Sequence, residues 1–164
     1  MLPGFVRAVY RLSAAAAALA AVMLLVAALV ITWSILYRAL GASTYWEIEF
    51  SVYMMVGSLF LASPYCLATN GHVGVDLLSH YLPQRLARPT ALVVAVIGLA
   101  VCVYLTYVGA ELTMHAFVRG ERTESSWAPA KWPLYLAMPV GLGLTALQYV
   151  AQLLQGVISP ADQQ

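Results

Sequence analysis

The side chains that metal or haem chemistry would use first are the chain's three histidines and one aspartate that lies between two of them. His72, Asp76 and His80 follow one long apolar stretch, whereas His115 comes at the far end of the next. If the second of these two stretches crosses a bilayer, roughly 30 Å of hydrocarbon separates His115 from His72, Asp76 and His80. Two haem ligands must face each other at similar depth, and a structural metal needs further ligands at suitable spacing. We therefore predict no haem and no metal site.

Enzymatic motifs are also missing from the sequence. Gly71 and Gly74 make a flexible loop, but a phosphate-binding loop requires a following Lys and Ser or Thr. No nucleophile, base and orienting group occur in a recognisable arrangement, and no pair of carboxylates is placed for acid and base catalysis. The sequence predicts no catalytic residue, no substrate-binding residue and no cofactor held by this chain.

The distribution of charged residues along the chain indicates which helices hold these side chains. All Asp, Glu, Lys and Arg residues lie outside four uncharged stretches, residues 12–37, 50–75, 89–110 and 132–161. Each stretch exceeds the roughly 20 apolar residues that a membrane-spanning helix needs. The chain is 62% hydrophobic and 9% charged, against roughly 25% charged residues in soluble domains. We expect an all-α integral membrane protein with one four-helix domain over residues 1–164.

The apolar pattern and its flanking residues predict four transmembrane helices, at about residues 12–37, 46–68, 89–115 and 133–155. Between the second and third helices, the leucines of residues 75–86 recur on one helical face, which is typical of an interfacial helix. Its Arg85, and Arg88 just beyond it, would lie near anionic lipid headgroups. A net charge of +1 without a basic cluster argues against nucleic acid as a partner.

The orientation cannot be taken from the total count of basic residues, which is tied between the two sides. Arg7 and Arg11 precede the first helix, and the first helix usually has most weight in orientation. We therefore expect both termini on the cytoplasmic side of the membrane.

Helix packing should depend on prolines and small residues. Pro64 leaves the Phe60 carbonyl without its helical donor, and Pro139 does the same for Tyr135. We expect Ser58, Ser63 or a neighbouring helix to cover the freed carbonyl in the second helix. The alanines of the first helix, residues 14–18, 20, 21, 27 and 28, allow close approach of either the chain's own helices or another subunit.

None of the four stretches has a charged side chain near its middle, although proteins that couple ion movement to transport usually carry one there. This argues against a self-sufficient proton-coupled exporter. A chain that crosses the membrane without polar machinery of its own is most simply the partner of a protein that has it.

Three polar runs at the helix ends give the chain a family resemblance. They are Trp46-Glu47-Ile48-Glu49, the run from Asn70 through Gly71-His72-Val73-Gly74-Val75-Asp76 to Leu78, and a third set made of Ser126, Trp127, Pro129, Trp132, Tyr135, Pro139, Gly141 and Gln148. Together they resemble the small membrane subunit, the DctQ type, of tripartite ATP-independent periplasmic (TRAP) transporters. The chain departs from the family pattern at Gly74, where a basic residue is common, and at residues 68–70, where an Arg-Glu pair is common.

The resemblance implies a secondary transporter with two partners, a large elevator-type membrane subunit (DctM) and a periplasmic substrate-binding protein (DctP). The small subunit would be a scaffold for the large one, which would hold the organic acid and the sodium ions. No cofactor is expected in this chain. The transported acid is not determined, and sialic acid, dicarboxylates, keto acids and compatible solutes all fit.

Individual residues at the helix ends and in the outer loop can then be given hypotheses. We expect Glu49 either to reach headgroup water or to pair with a cation such as Arg38. Exposed charge on the outer loop, at Arg119 and Arg122, would face the side where a binding protein docks. Candidates for subunit contact or for a structural role at the helix ends are Trp46, Glu47, Glu49, His72, Asp76, Trp132 and Pro139.

Two other classes are open on the residues alone. One is a membrane anchor for a redox or other enzyme complex, which would co-purify with a haem or flavin protein. The other is a free-standing channel, disfavoured because no helix face is polar along its length.

Overall fold

The computed structural model describes residues 2–42, 44–69 and 84–158. These residues form four helices, α1 (Leu2–Ala39), α2 (Glu47–Ala68), α3 (Gln84–Arg119) and α4 (Trp132–Ile158). Each contains a stretch long and apolar enough to cross a membrane, which confirms the predicted all-α membrane architecture. The predicted interfacial helix lies largely outside the described residues, and residues 84–86 at its end belong to α3.

Two helices are much longer than predicted. α1 has 38 residues and α3 has 36, about 57 and 54 Å of helix against about 30 Å of hydrocarbon. The predicted starts at residues 12 and 89 are wrong because charge marks the boundary of the hydrocarbon, while backbone hydrogen bonding continues into the headgroup region. Pro89, expected in the first turn of its helix, lies in the second turn of α3. The bounds of α2 and α4 differ from the predictions by three residues at most.

The helices do not pack in chain order. α2 and α4 lie side by side and run parallel, α1 lies against α2 and touches α4, and α3 contacts α4 but neither α1 nor α2 within the described ranges. Residues 40–46 join α1 to α2 and residues 120–131 join α3 to α4. We call the side of the bundle that carries both connections the loop end.

The buried face of α1 has a regular spacing of three and four residues. Its buried positions are Val9, Ser13, Ala16, Ala20, Ala27 and Ser34. This is the heptad spacing of a left-handed helix pair, and small residues there let two backbones come close. Ala16, Ala20 and Ala27 therefore serve the chain's own helices. The other predicted alanines on α1 are half-buried or exposed, and large apolar residues such as Leu19, Val22 and Leu29 also point outward.

α2 and α4 approach each other closely at the carbonyl that Pro64 frees. A Cβ on Gly141 of α4 would collide with the Phe60 carbonyl oxygen and lie 2.5 Å from its carbon. Only glycine fits there, because its hydrogen can lie against the carbonyl oxygen. Of the predicted coverings, the neighbouring helix is the correct one. Ser58 instead donates to the Met55 carbonyl at 2.7 Å.

Polar side chains join α4 to its neighbours inside the bundle. Thr145 donates to the Ser63 hydroxyl at 3.1 Å, and Ser13 donates to the Gln148 side-chain oxygen at 3.4 Å. Near the opposite end, the Gln152 amide donates to the Leu67 carbonyl at 2.9 Å. In a bilayer such hydrogen bonds between helices replace the hydrophobic effect as a source of specificity.

Candidate subunit-contact site

The start of α2 brings two carboxylates to the loop end. Glu47 and Glu49 lie in the first turn of α2, where the exposed N–H groups of a helix favour negative charge. Trp46 precedes them as the N-cap and makes no side-chain capping hydrogen bond. The helix start is therefore acidic and lacks the usual polar cap.

Glu47 is the most deeply buried charged residue among the described side chains, with 2% of its surface exposed. Its Oε2 atom has no hydrogen-bond partner. Ser51, one turn further along the same face, is also 2% exposed, and its hydroxyl has no hydrogen-bond partner. The hydroxyl oxygen of Thr44 is buried without a partner as well. A buried oxygen without a partner costs about 1–3 kcal/mol. These oxygens can accept hydrogen bonds or face a cation.

Of the two alternatives expected for Glu49, headgroup water or a cation such as Arg38, the structure does not show the ion pair with Arg38. The Oε2 atom of Glu49 is buried without a partner, while Arg38 is exposed in the last turn of α1. The structure shows no salt bridge between the two. Tyr53, one turn after Glu49, donates its hydroxyl to the Ala130 carbonyl at 3.0 Å. That bond ties α2 to the connection between α3 and α4.

Aromatic rings form a belt around the loop end. Trp46 contacts Phe50 and Trp127, with ring centroids 5.9 and 6.4 Å apart. Trp132 meets Phe117 edge-on at 5.7 Å, which sets the start of α4 level with the end of α3. Tryptophan favours the headgroup level of a membrane, so this belt gives the depth of the bundle.

The connection between α3 and α4 is a folded loop. Arg122 and Ala130 form an antiparallel bridge. The Thr123 N–H donates to the Pro129 carbonyl at 3.1 Å, and the Arg122 guanidinium donates to the Ala128 carbonyl at 3.4 Å. The side chains of Arg119 and Arg122 are exposed. Of the two predicted docking cations, Arg122 thus lies in the folded loop, whereas Arg119 is the last residue of α3.

Pro139 packs inside the chain. A Cβ on Gly109 of α3 would lie 3.2 Å from the Pro139 ring and 3.2 Å from Met138. Pro139 is half-buried at this contact between α3 and α4. Its position favours a structural role over direct contact with another subunit.

The remaining predicted residues are not among those that form this site in the described part of the chain, or lie outside it. His72 and Asp76 lie outside the described residues, and Arg85 and Arg88 lie in the first two turns of α3. Sequence reasoning gave no role to Ser13, Thr145 and Gln152, which join the helices internally. The available signal was the spacing of residues 141, 145, 148 and 152, which places small and polar side chains on one face of α4.

Comparison with protein families places most of the chain in a known family. The model described as Tripartite ATP-independent periplasmic transporters, DctQ component, matches residues 27–158. A search of curated proteins returned no match.

Proposed function

This chain belongs to the DctQ family of TRAP transporter components, and we propose that it acts as a scaffold for the large membrane subunit. DctQ is a transporter component and not an enzyme, and its four spanning helices make it a multi-pass membrane protein. The family excludes the alternative of a redox-complex anchor. The predicted resemblance is confirmed across most of the chain.

The observation that best supports a scaffold is how the bundle uses its interior polar groups. Ser13, Ser63 and Gln148 hydrogen-bond to side chains of neighbouring helices. A transport pathway needs polar groups that are free to bind a solute or ion. These three groups are committed to holding helices together. Among the described residues, the buried side-chain oxygens without a partner lie at the loop end and not along the bundle, which suits a part that stays fixed while another moves.

In the proposed assembly the large subunit carries the organic acid and the sodium ions, and a periplasmic binding protein delivers the acid. The chain would lie in the bacterial inner membrane with both termini in the cytoplasm. The loop end would then face the periplasm. The loop end includes the acidic start of α2, the aromatic belt and the folded loop. These features would lie next to the surface that the binding protein contacts.

Purification from native membranes tests the subunit assignment. A tag on this chain should recover a large multi-helix membrane protein, and removal of the chain should abolish sodium-dependent uptake that a plasmid copy restores. Recovery of a haem or flavin protein instead, with uptake unaffected by the deletion, would contradict the proposal.

Docking at the loop end has its own test. We expect the binding protein to associate at a salt-sensitive rate that falls when Arg119 and Arg122 are both changed to Gln, because exposed charges act mainly on encounter. Arg38→Gln is the matched control, since Arg38 is exposed near the same end but outside the folded loop. Equal rates for the double variant and the control would reduce the loop to a solvated connection.

A further inference from the structure

α3 carries a polar stripe on its outer side. Tyr104, Tyr107 and Glu111 are spaced three and four residues apart, which places them on one face. The two tyrosines are 66% and 69% exposed, and Glu111 is also exposed. Because α3 contacts only α4 within the described residues, this stripe faces away from the bundle.

The stripe lies within the depth of the hydrocarbon. The contact between Phe117 and Trp132 marks the aromatic belt. At 1.5 Å per residue, Glu111 lies about 9 Å below Phe117, with Tyr107 about 15 Å and Tyr104 about 20 Å below it. The tyrosines are therefore near the middle of a layer about 30 Å thick. They are too deep for their hydroxyls to reach headgroup water.

Lipid is a poor environment for these three side chains. A hydroxyl moved into hydrocarbon without a partner loses its hydrogen bonds, and acidic residues in membrane helices almost always face the protein interior or water. Neither tyrosine hydroxyl nor the Glu111 carboxylate has a hydrogen-bond partner among the described residues.

Two other hydroxyls of α3 find their acceptors within their own helix. Thr106 donates to the Cys102 carbonyl and Thr113 to the Gly109 carbonyl, both at 2.7 Å. A tyrosine hydroxyl stands at the end of a rigid ring and cannot turn back to its own helix in this way. Elsewhere at this depth large apolar side chains point outward, such as Leu25 and Leu29 on α1 and Val52, Met55 and Leu59 on α2.

We propose that the stripe formed by Tyr104, Tyr107 and Glu111 is the surface on which the large membrane subunit docks. The proposal rests on the proposed function. The partner helix must present hydrogen-bonding groups to the tyrosines and a cationic or donor side chain at the depth of Glu111. A second copy of this chain docked face to face would set Glu111 against Glu111, a like-charge contact that low dielectric makes costly. A partner of different sequence supplies the complementary charge.

Site-specific photocrosslinking in native membranes tests this surface. A benzoylphenylalanine residue is placed at position 104 or 107, and at positions 29 and 59 as controls on the apolar faces of α1 and α2. The chain is expressed together with its large subunit. We expect adducts with the large subunit from positions 104 and 107, and none from 29 and 59.

The outcomes distinguish failure of the proposed docking surface from failure of the proposed function. Adducts with the large subunit from position 29 or 59 alone would overturn the docking face and leave the scaffold standing. Adducts between two copies of this chain from 104 or 107 would also overturn it. Failure of the tagged chain to recover any large subunit would instead count against the proposed function itself.

A charge-neutral variant gives a second readout. Glu111→Gln should lower the fraction of large subunit that co-purifies in mild detergent by about 3- to 20-fold, the range for one interhelical hydrogen bond. Glu124→Gln, exposed in the folded loop, is the matched control. Equal retention for the two variants would remove Glu111 from the interface.

Discussion

Replacing Gly141 by alanine should weaken the contact that joins α2 to α4. The added Cβ would collide with the Phe60 carbonyl oxygen and come within 2.7 Å of the Phe60 Cβ. The obstacle is largely backbone, so neither helix can relieve the clash by turning a side chain. Overpacking of this kind costs about 1–3 kcal/mol, or about 5- to 150-fold in the unfolding equilibrium constant.

Gly143→Ala is a matched control on the same helix. A Cβ there would meet only the Thr106 methyl, at 3.7 Å, which is ordinary van der Waals contact. Both substitutions remove a glycine from a helix interior, and alanine is the better helix former by about 1 kcal/mol. The control should therefore be neutral or stabilising, and the difference between the variants isolates the contact with Phe60.

The assay is equilibrium unfolding of the purified chain in mixed micelles, followed by circular dichroism as the fraction of denaturing detergent rises. Gly141→Ala should unfold at a lower fraction than the wild-type chain, and Gly143→Ala at the same or a higher fraction. Coincident curves for the two variants would refute the close approach of α2 and α4 at Phe60.

Three smaller perturbations give graded results in the same assay. Gly57→Ala should cost under about 1 kcal/mol, because the atom it meets is the flexible end of Met23, 2.5 Å away; a loss as large as that of Gly141→Ala would contradict this. Tyr53→Phe removes the hydrogen bond to the Ala130 carbonyl and should lower the free energy of unfolding by about 1 kcal/mol. Hydrogen exchange in the loop between α3 and α4 should also become faster, and unchanged exchange would contradict this. Thr145→Ala should cost about 0.6 kcal/mol, the average for a hydrogen bond between membrane helices, and unchanged stability would show that its bond to α2 contributes nothing.

For the described residues, the sequence was sufficient for the number and type of membrane-spanning helices because the bilayer imposes a simple requirement. A stretch of about twenty uncharged, mostly apolar residues between charged ends is long enough to cross the bilayer, and a helix satisfies its backbone hydrogen bonds there. The ends were less predictable, since α1 begins at Leu2 and α3 at Gln84, well before the uncharged stretches. At these two helix starts charge marks where lipid begins, but it does not show where backbone hydrogen bonding begins.

The sequence could not predict which helices contact each other, for a different reason. In lipid every helix is apolar on most sides, so hydrophobicity does not mark the buried face. Pro64 showed which carbonyl needed cover, but the choice of Gly141 depends on the depth at which α4 lies beside α2. The separation of α3 from α2 has no signature in one sequence either, because it follows from packing of all four helices.

The candidate site was partly predictable. Glu47 and Trp46 stood out because charged and aromatic residues at the start of a membrane helix usually mark the level of the membrane surface. The burial of Glu47 and the missing contact between Glu49 and Arg38 follow from side-chain positions that spacing along the chain does not fix.

Reconstitution into proteoliposomes tests the central claim most directly. The chain alone should give no uptake of an organic acid, with or without a sodium gradient. The chain with the large subunit and the binding protein should give sodium-dependent uptake. Solute flux from liposomes that hold only this chain would contradict the account.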